Sequence, residues 1–135
     1  NGFTLDPLVG LFLLSHKDIK IPKGGQIYSA NEGNYNNWND EFKYKIDQHK
    51  ELNEKSRYIG SMVADVHRTL IKGGQFYYPA DKKNPQGKLR LLYEAAPMAF
   101  LFKQADGLES DGHQSILDIQ PERLHQRTPV YLGGK

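Results

Sequence analysis

Residues 61–78 place an amphipathic helix directly before a strand, and this pairing constrains the fold more than any other feature. Ser61 is a candidate N-cap, and Gly73-Gly74 is a typical helix stop. The apolar residues that share one helical face are Met62, Val63, Val66 and Leu70. The aromatic-rich run 75–78 follows at once and is closed by Pro79. A helix and a strand in succession predict a layered α/β structure.

The rest of the chain repeats this alternation. Residues 40–49 predict a polar surface helix, and residues 94–105 predict a second apolar-faced helix with Pro97 in its first turn. A strand is expected at 26–29 and a short extended segment at 88–92, with an Asn-rich loop at 34–39 and two last short apolar runs at 116–119 and 130–132. Apolar runs at 3–5 and 11–14 flank a turn and predict an opening hairpin. We expect this hairpin to make the largely buried sheet mixed rather than purely parallel.

Composition excludes several classes of protein. The 135 residues predict one domain, residues 1–135, and 18 basic against 16 acidic residues leave a net charge of +2, too small for a nucleic-acid binder. The absence of cysteine excludes disulfide scaffolds and thiol catalysis. The apolar run 11–14 is far short of the ~18 residues of a membrane span. Because the chain starts at Asn1 without Met, we expect a piece of a longer protein. We expect a cytoplasmic location, with which the absence of cysteine is compatible.

Basic, aromatic and amide side chains stand at the ends of the predicted elements. They are Asn31, Arg57, Tyr58, Tyr78, Lys88 and Arg90. Arg, Lys and Tyr together can bind phosphate oxygens, and α/β proteins place ligand sites at strand ends. The alternative is a solvated basic surface with aromatic edges. Glu94 likewise is either a metal ligand or an ordinary first-turn glutamate favoured by the helix dipole.

Two further groups are interpreted as structural. The acidic residues between Asp106 and Asp118 do not follow the alternating ligand pattern of an EF-hand, because Leu108 stands two places after Asp106. We expect a surface turn there, with Asp111-Gly112 at its tip. The five histidines form no recognisable Ser–His–acid arrangement, so structural roles are expected for all of them.

Several motifs, in order along nearly the whole chain, carry a family resemblance. They are Asn31-Glu32-Gly33, Arg57-Tyr58-Ile59-Gly60-Ser61-Met62-Val63-Ala64-Asp65-Val66-His67-Arg68, Tyr78-Pro79-Ala80, Gly87-Lys88-Leu89-Arg90-Leu91-Leu92-Tyr93-Glu94, Pro97-Met98-Ala99-Phe100 and Leu124-His125-Gln126-Arg127. The chain resembles the carboxy-terminal domain of class I fructose-1,6-bisphosphatases. With the alternating pattern, the resemblance implies a three-layer α/β/α sandwich with a mixed sheet of about five strands.

The resemblance also implies roles for the candidate residues. Those matching 6-phosphate ligands are Asn31, Tyr58 and Tyr78, joined by Arg57 across a dimer interface. Lys88 matches a lysine on the sugar and its phosphate, and Gly60, Ser61 and Met62 match the wall against the fructose hydroxyls. Arg90 matches an arginine near the 1-phosphate, and Glu94 matches a metal ligand. Because Asn34 precedes Tyr35, the sequence leaves open whether Tyr35 joins the 6-phosphate ligands.

The implied activity is that of a gluconeogenic phosphatase in a homodimer or homotetramer. It converts fructose 1,6-bisphosphate to fructose 6-phosphate with two or three Mg²⁺ or other divalent ions. The family's Asp-Pro-x-Asp-Gly-Ser metal motif is not in this sequence, and Val9 rules out Asp6-Pro7 as its equivalent. We therefore expect the catalytic amino-terminal domain to lie outside the chain, and the chain alone to be inactive. Two alternatives are sedoheptulose-1,7-bisphosphatase activity and a non-catalytic sugar-phosphate-binding or assembly module.

Overall fold

The computed structural model describes residues 1–135. The strands are β1 (Gly2–Asp6), β2 (Leu11–His16), β3 (Ile27–Ser29), β4 (Lys55–Ser56), β5 (Gln75–Tyr78), β6 (Leu89–Arg90), β7 (Leu108–Ser110), β8 (Arg127–Thr128) and β9 (Val130–Gly133). The α-helices are α1 (Asp40–Glu51), α2 (Met62–Lys72) and α3 (Ala96–Gln104). Short 3-10 turns cover Glu32–Asn37 and Ile116–Asp118, and a π-helical turn covers Leu91–Ala95. No helix combines the length and apolar composition needed to cross a membrane.

Five strands form the central sheet, in the order β4-β3-β5-β9-β7. β3 runs parallel to β4 and β5, whereas β9 runs antiparallel to β5 and β7. The predicted mixed sheet of about five strands is confirmed. The predicted cause of its mixed character is wrong, because β1 and β2 form a separate two-stranded sheet and β9 introduces the antiparallel pairing.

Apolar cores lie on both faces of the central sheet. Because side chains alternate along a strand, Phe76 of β5 faces one core and Tyr77 faces the other. The first core contains Ile21, Val66, Phe76, Leu89, Leu91, Ala95, Ala99, Phe102, Ile116, Val130 and Leu132. The second contains Tyr28, Ala30, Trp38, Phe42, Ile46 and Tyr77. With α2 and α3 on one face and α1 on the other, the structure has the predicted three layers.

Helix α2 forms where the sequence predicts it, but two of its residues differ from the prediction. Ser61 occupies the N-cap position without a capping side-chain hydrogen bond. Val63 was expected on the buried face and is 60% exposed, because it borders an open groove between α2 and the β1–β2 hairpin. The buried positions of α2 are Asp65, Val66 and Thr69, so its inner face includes a carboxylate.

Helical structure before Pro97 begins earlier than predicted. The extended segment ends at Arg90, and the π-helical turn starts at Leu91 rather than at Glu94. Ala96 N–H donates to the carbonyl of Leu91, five residues back. Pro97 has no N–H for the usual helical bond to Tyr93, so the wider turn lies where that bond is missing. This turn places Glu94 four residues after Arg90, the last residue of β6.

The irregular elements were less predictable. The expected loop at 34–39 contains part of a 3-10 turn, which begins at Glu32 and leads to the buried Trp38. The short strands β4, β7 and β8 were not predicted. β4 has two exposed residues, and its strand character comes from pairing with β3, some 28 positions earlier in the sequence.

Candidate functional site

The carboxyl ends of three parallel strands meet at one edge of the central sheet. β3 lies between β4 and β5, and all three run in the same direction. Asn31 follows β3, Arg57 and Tyr58 follow β4, and Tyr78 ends β5. Open α/β sheets bind ligands in the crevice beyond the carboxyl ends of their strands. The topology therefore brings together candidates that are separated by 47 positions in the sequence.

Tyr58 is the centre of this group. Burial raises the pKa of the Tyr58 phenol, and the neighbouring Tyr78 and Asp65 act in the same direction, while hydrogen bonding with Asn31 opposes them. Asn31 and Tyr78 therefore both lie near the phenol of Tyr58. Because the phenol keeps its proton at neutral pH, it can donate a hydrogen bond to an anionic oxygen. The three side chains form a polar cluster suited to a phosphate group.

The segment between β4 and α2 carries the next predicted residues. Arg57 is exposed, and its Nη1 donates to the carbonyl of Ser56 at 2.8 Å. Gly60 has a φ of +85°, which a residue with a side chain adopts only with strain. Ser61 and Met62 lead into α2, whose first N–H groups have no acceptor within the helix. The first N–H groups of α2, at the end of this segment, are therefore free donors.

Arg90 and Glu94 form a second, smaller group. Strand β6, which carries Arg90, pairs with β8 in its own two-stranded sheet. Glu94 Oε2 accepts a hydrogen bond from Arg90 N at 2.6 Å and lies 3.7 Å from Arg90 Nη1. Glu94 Oε1 accepts none of the hydrogen bonds found in the chain. Lys88 stands two residues before Arg90 and is exposed.

Glu94 fits one ligand position for a divalent ion and no more. Mg²⁺ requires near-octahedral oxygen coordination and usually takes one or two protein carboxylates with several waters. No group of three or more His, Cys, Asp or Glu side chains in the structure could hold a metal ion. The free Oε1 of Glu94 is compatible with metal coordination, but further ligands would have to come from outside the chain.

Tyr35 lies in a different environment from the phosphate-type cluster, which consists of Asn31, Tyr58 and Tyr78. Its hydroxyl donates to Asp47 of α1 at 2.8 Å, and this hydrogen bond is the main cause that raises the pKa of Tyr35. The ammonium groups of Lys43 and Lys50 lie over its ring. The hydroxyl of Tyr35 therefore ties the 3-10 turn to α1.

The acidic turn and the buried histidine have structural partners, as expected. Asp111 Oδ1 accepts hydrogen bonds from the N–H groups of His113 and Gln114, each at 2.7 Å. His49 lies between two partners, with Nδ1 2.7 Å from Glu54 and Nε2 3.0 Å from the hydroxyl of Tyr77. These hydrogen bonds satisfy the polar groups of Asp111 and His49 within the fold.

A large cavity lies elsewhere in the structure. It has a volume of about 490 Å³ and is lined by α1 and the turn at 111–113, and none of the predicted site residues borders it. The phosphate-type cluster instead lies at an open sheet edge.

Sequence reasoning missed two residues next to the cluster. Asp65 accepts hydrogen bonds from the N–H groups of Ile59 and Gly60, and Arg68 donates to the carbonyl of Arg57. A signal was present, because Asp65 directly precedes Val66 on the apolar face of α2. A carboxylate on a buried face requires partners.

Comparison with known proteins identifies the family. The family model described as "Fructose-1-6-bisphosphatase, C-terminal domain" matches residues 21–135. The chain belongs to this family. The class 1 fructose-1,6-bisphosphatase of Persephonella marina is 64% identical over 136 residues, covering 100% of the chain and 42% of that relative. The cytosolic fructose-1,6-bisphosphatase of Musa acuminata is 56% identical over 139 residues, covering 99% of the chain and 41% of the relative.

Solved structures agree with the sequence comparison. Leishmania major fructose-1,6-bisphosphatase in its T-state superposes with a TM-score of 0.96 at 54% identity. The match covers 98% of the chain and 42% of the Leishmania protein. The chain thus spans less than half the length of these fructose-1,6-bisphosphatases. The family model begins after the β1–β2 hairpin, which forms its own sheet.

Proposed function

We propose that the chain is the sugar-phosphate-binding half of a fructose-1,6-bisphosphatase. The enzyme would release the 1-phosphate of fructose 1,6-bisphosphate and leave fructose 6-phosphate. The observation that carries the proposal is the cluster of Asn31, Tyr58 and Tyr78 at the carboxyl ends of adjacent parallel strands. Phosphoryl transfer depends mainly on positioning and charge neutralisation, and this cluster supplies positioning groups.

Each residue has a distinct part in holding the substrate. Asn31, Tyr58 and Tyr78 hold the 6-phosphate through neutral hydrogen bonds, and Arg57 adds a positive charge across a subunit interface of a homodimer or homotetramer. Lys88 contacts the sugar and its phosphate. The backbone of Gly60, Ser61 and Met62 lies against the fructose hydroxyls. Together these groups fix the substrate away from the bond that breaks.

Arg90 and Glu94 face the reacting end. Arg90 supplies positive charge near the 1-phosphate, and Glu94 supplies one carboxylate oxygen to Mg²⁺. Bound divalent ions polarise a phosphate and lower the pKa of an attacking water. Since Arg90 N occupies Glu94 Oε2, Oε1 would remain available to hold a divalent ion. The remaining metal ligands belong to the part of the enzyme that the chain does not contain.

The opening hairpin supports a partner of this kind. Its apolar side chains are highly exposed to solvent, with Leu8 95% and Phe12 69% exposed. A contiguous exposed apolar surface in a globular protein usually marks an interface. We propose that the hairpin packs against the amino-terminal domain.

A cytoplasmic location is also part of the proposal. It is supported by the cytosolic relative from Musa, although spinach has a chloroplastic relative.

Phosphate release from fructose 1,6-bisphosphate with excess Mg²⁺ tests the proposal. The full-length enzyme should hydrolyse the substrate, and the 135-residue chain alone should show no meaningful turnover because it supplies one metal ligand. Turnover by the chain near that of the full-length enzyme would contradict the division of labour. Preference for sedoheptulose 1,7-bisphosphate, or sugar-phosphate binding without hydrolysis by the full-length protein, would favour the alternatives instead.

A further inference from the structure

We infer that Asp65 and Arg68 are positioning residues that hold the substrate-binding segment 57–60 in shape. The inference rests on the proposed function, because it concerns the same sugar-phosphate site. Neither side chain is among the residues proposed to touch substrate. Both belong to α2, the helix that follows the segment, and both bond back to its main chain.

Asp65 is the acceptor at the centre of this arrangement. It is fully buried, with 0% of its surface exposed. Its two carboxylate oxygens each lie 3.1 Å from the N–H of Ile59, and Oδ2 also accepts from the N–H of Gly60 at 3.3 Å. The Nη2 of Arg68 completes the set at 3.0 Å from Oδ1. A buried carboxylate with four such contacts is well satisfied.

Arg68 joins the segment to the helix. Its Nη2 donates to the carbonyl of Arg57 at 2.7 Å while also contacting Asp65. The main chain of the segment is therefore held at both ends, by its carbonyl at Arg57 and by its N–H groups at Ile59 and Gly60. The Nε of Arg68 is buried without a partner, so the side chain keeps this position with one donor unmet.

Outside α2, the main chain of the segment makes one hydrogen bond, from the N–H of Arg57 to the carbonyl of Tyr28 at 2.9 Å. Ile59 is 66% exposed, and Arg57 and Gly60 are exposed as well. β4 before it has only two residues and lies at the edge of the sheet. Gly60 adopts a left-handed φ of +85°, which glycine leaves freely when nothing constrains it. Polar contacts from α2 therefore supply most of the hydrogen bonds that hold the main chain on either side of Tyr58.

Substitution in the full-length enzyme tests the inference. Asp65→Asn replaces an acceptor with an amide that faces N–H donors, and Arg68→Gln removes the link to Arg57. Each should raise KM for fructose 1,6-bisphosphate about tenfold or more, which corresponds to ~1.4 kcal/mol, with a much smaller change in kcat. Arg68→Lys keeps one charged donor and should recover part of the lost affinity. Binding of fructose 6-phosphate should weaken in parallel.

Glu109→Gln is the matched control. Glu109 also binds a backbone N–H, that of Ile116, but on β7 at the opposite edge of the sheet from β4. Glu109→Gln should lower the melting temperature of the enzyme without changing its KM for fructose 1,6-bisphosphate. If folded Arg68→Gln, whose parent side chain is only partly buried, keeps the wild-type KM, the inference is wrong. If the wild-type enzyme binds no fructose 6-phosphate, the proposed function fails, and the inference fails with it.

Discussion

The side chain of Lys88 has no ion-pair partner within the chain. It is also exposed. Because this side chain is exposed and has no ion pair, its replacement should leave the fold intact. A change in kinetics would then report on substrate binding. This makes Lys88 the best single residue for separating binding from stability.

Lys88→Ala in the full-length enzyme should raise KM more than it lowers kcat. Loss of one charged hydrogen bond costs about 1.5–3 kcal/mol, so KM should rise roughly ten- to a hundredfold. A contact made equally in the ground and transition states changes KM in this way. Lys83→Ala, which removes another exposed lysine just before it, is the control in steady-state kinetics with fructose 1,6-bisphosphate. Equal effects of the two substitutions would remove Lys88 from the site.

The buried phenol of Tyr77 makes the stability of the fold depend on pH in the alkaline range. Burial raises the pKa of the Tyr77 phenol well above its usual value, and the nearby Glu54 and Tyr131 add to the effect. An unfolded tyrosine loses its proton near pH 10, whereas folded Tyr77 keeps it. The unfolded state then binds fewer protons, so the stability from Tyr77 is complete below about pH 10 and declines as pH rises further.

Tyr77→Phe should flatten this alkaline decline. It should also cost about 1 kcal/mol at neutral pH, because the hydrogen bond between the Tyr77 hydroxyl and His49 Nε2 is lost. Urea unfolding of the chain at several pH values from 8 to 11 measures both effects. Tyr131→Phe on its own should also flatten the alkaline decline, since burial raises the pKa of Tyr131 too. An unchanged slope in both variants would contradict the assignment.

At the scale of elements, the junction between α2 and β5 depends on close backbone contact. Gly74 has a φ of +100°, and a Cβ built there would lie 2.1 Å from the carbonyl oxygen of Ile27. That carbonyl belongs to the first residue of β3, so the junction brings the parallel strands β3 and β5 together at their amino ends, opposite the strand ends that carry the site. The register of β3 against β5 follows from a contact that only glycine permits.

Gly74→Ala should therefore be among the most destabilising single changes in the chain. Gly24→Ala is the matched control, because Gly24 also has a positive φ, +67°, with nothing within 4 Å of the added Cβ. The control should cost about 1–2 kcal/mol from backbone strain alone. Gly74→Ala should cost clearly more in thermal or urea unfolding, since β3 must move. Similar losses in the two variants would show that the contact at Ile27 is readily relieved.

Local patterns made some elements predictable and left others hidden. The α2–β5 pair follows from periodicity and from Gly73-Gly74, signals that lie within one stretch of sequence. β4 and β7 were missed because two or three residues carry too little pattern, and their strand character comes from distant partners. Side-chain types suggested the site, but only the order β4-β3-β5 explains why its members meet.

At the scale of the whole molecule, the position of Arg57 favours a site shared between subunits. β4 is the edge strand of the central sheet, and Arg57 follows it directly. The Arg57 guanidinium donates to the carbonyl of Ser56 and is otherwise exposed. A charged group at the outer margin of the fold can reach a second subunit placed against that edge. The proposed assembly would then complete each phosphate site with an arginine from the neighbouring chain.

Hybrid dimers of the full-length enzyme test this arrangement. In a dimer of one Arg57→Ala subunit and one Glu94→Gln subunit, only the Arg57→Ala subunit keeps the proposed metal ligand. If Arg57 acts across the interface, that site borrows an intact Arg57 from the Glu94→Gln subunit, and the hybrid should turn over fructose 1,6-bisphosphate with near-normal KM. The Arg57→Ala homodimer should instead show KM raised roughly ten- to a hundredfold, the effect of losing a charged contact. Hybrids purified with two affinity tags allow the direct comparison. A hybrid that shows only the raised KM of the Arg57→Ala homodimer would place Arg57 in the site of its own chain.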